Sequence, residues 1–548
     1  RRPRPWLGSV ASCHQCCHIH TSWKLSFSYI SELRMLKCKA LSSIHVSGLS
    51  DLHWQSRFVD ETPGDSIQGG GIRQVLNACW SRVSPTTVPE PKIVAWSDVM
   101  ANTLDLEEKE ENLLSGNEIC IGMDTYSQCY GGHQFGTWAG QLGDGRAITL
   151  GEVESKEGVL ELQLKGSGLT PYSRNADGKA VLRSSIREFL CSEAMYHLGV
   201  PTTRALSLCT TGEKITRDMF YDGNPADEPG AIVCRVAPSF LRFGSFQIHA
   251  MRGDKKTLEN LVNHTLKAHF PHLKSEGDDL LIDWLREIIE KTAHMVIEWL
   301  RVGFVHGVMN TDNMSIHGLT IDYGPYGWIE NYDHNWTPNT TDLSTRRYRF
   351  GQQPMLAGWN VARLLESISP LMEDTDKLHE LMKHYDSCIL QEYRKMWSSK
   401  LGLEEYDEEM VNELITLLHR CETDMTIFFR KLALLVEPTI SGLEDCFYDL
   451  DTVPTEEWEA WLNKYLSTVS SDRAEAMNAV NPKYVLRNWM AQLSIDKAEK
   501  GDFSLVNELY TLLKRPYDEQ PEMEDEWFVK RPEWARHRAG CSMLSCSS

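Results

Sequence analysis

His306 is followed at +7 by Asn313, and Asp322-Tyr-Gly324 begins nine residues beyond that. An amide oxygen and a carboxylate so close in sequence are hard ligands, of the kind that hold Mg2+ against phosphate groups. Asp312, directly before Asn313, adds another carboxylate. Upstream stand the cations that phosphate chemistry needs. Lys165 ends the alternating run Val159-Leu-Glu-Leu-Gln-Leu-Lys165, and Glu188 follows 23 residues later. A lysine on a rigid strand puts a positive charge at a fixed place, and a glutamate keeps its flexible stem from wandering. Arg235 and Arg242 bracket Val-Ala-Pro-Ser-Phe-Leu, and a guanidinium matches phosphate in a two-pronged contact. Gly143-Asp-Gly145-Arg146 offers backbone N–H groups that can approach a phosphate, plus a cation. Asp177-Gly178 lies in the turn-prone stretch Arg174-Asn-Ala-Asp-Gly-Lys179. Taken singly, each of these has a bland reading as a turn, a strand end or a solvated charge. Their joint spacing favours a site.

These residues need elements to carry them. The runs 147–153 and 159–165 carry strand patterns, the second with clean period-two alternation. They follow a Gly-rich stretch, 130–146, read as a loop, which points to an antiparallel sheet. Over 181–198 the apolar residues Leu182, Ile186, Phe189, Leu190, Ala194, Met195 and Leu198 share one helical face. Gly199 and Pro201 stop that helix. A further strand is expected at 231–236. From residue 255 onward helices dominate, at 280–302, 360–368, 376–395, 410–436 and 455–465. Strands first and helices after predict an α+β fold in two lobes. The expected division is a leader at 1–50, a sheet-rich lobe with the nucleotide-binding loop at 51–250, and a helical lobe with the catalytic segment and tail at 251–548.

The order of these parts is that of protein kinases, whose catalytic loop reads H-R-D-x-x-x-x-N with D-F-G downstream. One position departs. Val308 stands where the catalytic Asp belongs. A valine cannot accept a proton, which argues against ordinary phosphoryl transfer. Asp312 is the nearest replacement carboxylate. A phosphotransferase and a non-catalytic pseudokinase remain the alternative readings.

Composition sets outer limits. The net charge of −21 over 548 residues argues against broad nucleic-acid binding. No run of about 18 uncharged apolar residues occurs, so no membrane span is expected. The 15 cysteines are scattered, which fits reduced thiols better than a disulfide scaffold. Cys13, Cys16, Cys17, His18 and His20 are metal-type ligands, but they lack the two spaced pairs that structural zinc sites use. Residues 1–50 hold seven Lys or Arg and one acid, Glu32, and are rich in Ser. That is transit-peptide composition, or equally a leader that is not translated.

The chain resembles the selenoprotein O family, also called the YdiU family of protein adenylyltransferases. The resemblance runs from about Trp54 to Ser548. It rests on Tyr130-Gly-Gly-His-Gln-Phe-Gly136, Gly140-Gln-Leu-Gly-Asp-Gly-Arg146, Leu164-Lys-Gly-Ser-Gly168 and Thr170-Pro-Tyr-Ser-Arg174. It rests equally on His306-Gly-Val-Met-Asn-Thr-Asp-Asn-Met314, Asp322-Tyr-Gly-Pro-Tyr326 and Asn481-Pro-Lys-Tyr-Val-Leu-Arg487. The resemblance implies a protein-kinase-like fold that binds ATP in a flipped orientation and moves AMP to Ser, Thr or Tyr hydroxyls of proteins. It implies nucleotide contacts from Gly143, Gly145, Arg146, Lys165, Asp177, Gly178, Arg235, Arg242 and Asp322. Glu188 is then the partner of Lys165, Asn313 and Asp322 hold Mg2+ with Mn2+ as the alternative, and Asp312 is the proton acceptor. Some members carry selenocysteine third from the C-terminus, and Cys546 occupies that place here. Others link a C-terminal Cys to one in the activation loop, but 323–346 contains no Cys. The expected partners are ATP and protein substrates, for a monomer without nucleic acid. A mitochondrial address is expected, with cytoplasm or plastid as alternatives.

Overall fold

Leu160, Leu162 and Leu164 alternate with Glu161, Gln163 and Lys165, and Gly158–Lys165 is a strand. Both of its faces are buried. The leucines enter the core, and the polar face meets other polar groups instead of water. This strand is central to a sheet of nine strands in the computed structural model, which describes residues 48–219 and 222–545. The Cys/His cluster, Cys546 and all but the last three residues of the 1–50 stretch lie outside those described residues.

The sheet runs Trp80–Arg82, Tyr126–Gln128, Ala147–Ser155, Gly158–Lys165, Ala226–Ala237, Arg204–Arg217, Lys92–Trp96. Trp54–Gln55 adds to Ala147–Ser155, and Ala180–Val181 adds to Ala226–Ala237. Every pairing is antiparallel. The strands expected at 147–153 and 159–165 are present. The strand expected at 231–236 starts five residues earlier, because Ala226–Arg217, Asp227–Thr216 and Glu228–Ile215 pair across the hairpin. Asp, Glu, Pro and Gly read locally as a turn; the partner strand recruits them. That partner, Arg204–Arg217, has no clear sequence signal, since Ser, Thr and Cys dilute its alternation.

Leu182–His197 is a helix, within a residue of the expected bounds. Its apolar face is wholly buried, and so are Glu188 and Glu193. Glu193 is held by Arg204 at 2.8 Å. Downstream the helices Gly277–Val302, Gln353–Ile368, Lys377–Leu401 and Thr455–Thr468 match expected ones. The single helix expected over 410–436 is instead two, Glu408–Arg420 and Met425–Leu434. Asp424 breaks it. Its side chain caps the second helix at Ile427 N and makes two bonds to Arg487, at 2.7 and 2.9 Å, in full burial. As the N-cap, Asp424 has extended backbone and so stands outside the helical turn.

Late elements return to early ones. The Ser504–Leu513 helix packs on Leu182–His197. Tyr510 donates to Asp98 at 2.6 Å and meets the Phe189 ring at 5.7 Å. Further on, Thr340 N donates to Leu544 O at 2.7 Å and Leu544 N to Pro338 O at 3.0 Å. The ten described cysteines are free thiols. Among the described residues no helix is long and apolar enough to cross a membrane.

Candidate active site

Cross-strand register sets the first half of the site. Arg235 stands opposite Gln163, and Val233 opposite Lys165, on the polar face of the sheet. Arg235 Nη2 bonds Gln163 Oε1. The Leu182–His197 helix lies against these strands and brings Glu188 Oε2 to 2.6 Å from Lys165 Nζ. The expected pair is therefore made, and both partners are buried.

The second half comes from the helical part. Gly303, left-handed at φ 78°, ends Gly277–Val302, and a two-residue strand, Phe304–Val305, leads into the segment that begins at His306. His306 Nε2 donates to Ile321 O at 2.9 Å, tying that segment to the residue before Asp322. Burial lowers the pKa of His306, and Val308 N donates to its Nδ1 at 3.4 Å, so the ring serves as a strut between the two segments. Asn313 closes the 3-10 turn Thr311–Asn313, and its Nδ2 donates to Val308 O at 2.8 Å. Its amide oxygen is then the end left for a cation.

The two halves meet at Asp322. Arg235 Nη1 reaches its Oδ1 at 2.5 Å, Arg242 Nη1 its Oδ2 at 2.6 Å, and Lys165 its Oδ1 at 3.5 Å. Burial alone would raise the pKa of this carboxyl, but Arg242, Lys165 and Arg235 together hold it well below the usual range. Asp322 adopts φ 61°, a left-handed conformation uncommon outside glycine. Its three cations over-determine it. Burial pushes the Lys165 ammonium down, against Glu188 and Asp322, which favour the charge. Arg242 Nη2 and Arg235 Nε are buried without hydrogen-bond partners.

Asp312 sits beside this centre, 8% exposed. Burial pushes its pKa up to about 6, opposed by its own backbone hydrogen bond and Arg242. Its Oδ1 has no hydrogen-bond partner. What covers it is the Gly-rich stretch, which forms a hairpin, Gly131–Gln134 with Thr137–Gln141, in place of the expected loop. A Cβ on Gly132 would lie 2.3 Å from Asp312 Oδ1, so only glycine lets the hairpin pass there. His133 N donates to Thr311 Oγ1 at 2.8 Å and holds it down.

Gly143 and Gly145 lie at the edge of the same site. Gly143 has φ 78° and a Cβ there would strike the Tyr172 ring at 2.3 Å. Between them, Asp144 was not singled out by its type. It is buried, which raises its pKa, and accepts from Gln128 N at 3.1 Å and Gln163 Nε2 at 3.2 Å, with Arg242 Nη2 3.7 Å away. Asp144 and Gln163 thus tie the loop to the cations; their signals were their places, between two glycines and two residues before Lys165. Arg146 is half-buried on the same loop. Asp177 and Gly178 are not brought to the Asp322 centre. Asp177 pairs with Arg217 at 2.7 Å and accepts from Lys179 N, and Gly178 packs against Gly168.

Set beside known proteins, the chain matches the sequence model of the family described as protein adenylyltransferase SelO over residues 71–514. The chain belongs to the SelO family. The protein nucleotidyltransferase YdiU of Aromatoleum aromaticum is 53% identical over 524 residues, covering 91% of this chain and all of that protein. The YdiU protein of Flavobacterium johnsoniae is 50% identical over 523 residues with the same coverage. That of Rhodopirellula baltica is 53% identical over 538 residues, covering 91% and 99%. Membership in the SelO family makes the chain a protein nucleotidyltransferase, as its motifs led one to expect.

Proposed function

We propose that the chain transfers AMP from ATP to Ser, Thr or Tyr hydroxyls of proteins, on a kinase-like two-lobed scaffold that divides near residue 250. One observation carries the reading. Three buried cations converge on Asp322, and two of them keep guanidinium N–H groups with no acceptor. A triphosphate supplies acceptors of the right charge. Arg235, Arg242 and Lys165 would then exchange contacts with Asp322 for phosphate oxygens, and Asp322 would be released toward a metal ion.

The donor set fits Mg2+, with Mn2+ as the alternative. Among the described residues no three His, Cys, Asp or Glu side chains converge on one point. Mg2+ takes few protein ligands and fills its shell with phosphate and water oxygens, so Asn313 and Asp322 suffice. When bound, it would neutralise charge on the phosphates. Arg235, Arg242 and Lys165 stabilise the charge that develops on leaving pyrophosphate. Asp312 orients the attacking hydroxyl and receives its proton, a role that its unpartnered Oδ1 and raised pKa support. Glu188 fixes Lys165. Gly143, Gly145 and Arg146 border the nucleotide; Asp177 and Gly178 are assigned to it by the resemblance to the family, not by their place beside Arg217 and Gly168.

Incubating the protein with ATP labelled on the α or the γ phosphate tests this. Label on acceptor protein from the α position only is expected. Label from the γ position only would make the chain a kinase and overturn the reading. The mitochondrial address is tested by fusing residues 1–50 to a fluorescent reporter.

A further inference from the structure

Arg347 and Arg363 meet on a surface beside the hairpin that covers Asp312, and Arg346 and Arg349 lie close to Arg347 in the chain. Arg346, Arg347 and Arg349 lie after Asp322-Tyr-Gly324, and Arg363 lies on the Gln353–Ile368 helix. The chain as a whole carries −21, so this concentration runs against the general charge. Arg347 and Arg363 cover one indole, Trp359, at 5.0 and 5.1 Å from its centre. Two guanidiniums on one ring repel each other. Arg363 is balanced by Glu366 at 2.5 Å. Among the described residues, Arg346, Arg347 and Arg349 have no carboxylate within ion-pair distance, and Arg347 Nε is buried without a hydrogen-bond partner.

This surface is tied to the catalytic turn. Tyr348, between Arg347 and Arg349, is buried and donates to Asn310 Oδ1 at 2.5 Å. Asn310 stands two residues before Asp312 and also accepts from Phe135 N at 3.3 Å. Phe135, at the hairpin tip, is 39% exposed, with its ring 5.1 Å from that of Tyr348. Beside it, a Cβ on Gly136 would lie 3.5 Å from the Arg347 guanidinium. An exposed aromatic tip and unbalanced cations therefore flank the carboxylate assigned to the acceptor hydroxyl.

We infer that this surface seats an acidic segment of the protein substrate, with Asp and Glu side chains flanking the acceptor hydroxyl. The inference rests on Asp312 meeting that hydroxyl. The arginines bind the carboxylates and Phe135 covers an apolar side chain of the same segment. ATP is not the occupant, because the cations proposed for its phosphates are the buried Lys165, Arg235 and Arg242. A nucleic acid fits less well: the indole here is already stacked by guanidiniums, and the surrounding protein is acidic.

The test uses the full chain, α-labelled ATP and three synthetic peptides with one central acceptor hydroxyl, flanked by Asp/Glu, Ala or Lys. The wild type is expected to show a KM for the acidic peptide about tenfold below that for the Ala peptide, with the Lys peptide worst and the difference shrinking in high salt. R346E/R349E is expected to invert the ranking. R346Q serves if the double variant does not melt cooperatively, and should narrow the preference. Equal KM values in the wild type, or an unchanged ranking in the variants, would overturn the docking surface while α-label on the peptides left nucleotidyl transfer standing. Absence of α-label on every peptide and on lysate protein would overturn transfer itself. Equal inhibition of all three peptides by a 20-mer RNA would assign the surface to nucleic acid and also overturn the inference.

Discussion

Asp322 is where most of the site's electrostatics meet. Removing it leaves Lys165, Arg235 and Arg242 buried with only Glu188 and Asp144 nearby. Breaking a buried charge network in this way costs about 3–5 kcal/mol. Asp322→Ala should therefore abolish α-label transfer and lower the melting temperature, and ATP should restore part of the loss by supplying negative charge. Calorimetry with and without ATP checks this; an unchanged melting temperature would contradict the network. Asp312→Asn should differ. It keeps the shape and removes the carboxylate proposed as proton acceptor, so kcat should fall about 100-fold with KM for ATP within a few fold, measured by steady-state labelling. Lys165, Glu188, Arg235, Arg242, Asn313 and Asp322 were legible in the sequence because their types and order are those of phosphate chemistry. Asp144, Gln163 and Tyr348 were not, because a carboxylate, an amide or a phenol gains its role only from the neighbour that folding supplies.

At the scale of elements, the hairpin Gly131–Gln141 is the part that composition concealed. Its glycines read as a loop, yet they permit a strand pair to pass against Asp312. Gly132→Ala should push the hairpin off that carboxylate and lower α-label transfer more than tenfold, with the far-ultraviolet dichroism unchanged. Full activity in that variant would show that the hairpin can yield without cost. Alternation and helical periodicity placed the strands at Ala147–Ser155 and Gly158–Lys165 and the helices at Leu182–His197 and Gly277–Val302. They failed at Arg204–Arg217, whose strand is decided by its pairing, and at Asp424, whose bonds to Arg487, 63 residues later, divide a run that is locally helical. Both failures have one cause: partners distant in sequence override local preference.

Across the whole molecule, ionisable groups must be buried without water to help. Glu330 is the clearest instance. It lies 3.6 Å from Arg487, and burial pushes its pKa from 4.5 up to about 7, with Asp424 also raising it and Arg487 and Arg531 opposing. The native state keeps a proton there that the unfolded chain releases near 4.5. Stability therefore falls as the pH rises from about 4.5 to about 7 and levels off above. Glu330→Gln should melt about 1–3 °C higher than wild type at pH 8 and equally at pH 4.5. A lower melting temperature at pH 8 would mean that the carboxylate is stabilising when charged.

Tyr510, against Asp98 and Phe189, braces the helix that carries Glu188. A ribosome adds some 350 residues between Lys165 and that brace, which at 5–20 residues per second takes roughly 20–70 s. During that interval the lysine strand and its helix exist without their prop. Synthesis thus completes the support of the Lys165–Glu188 pair late, and a chain interrupted before residue 510 carries that pair without the Tyr510 brace.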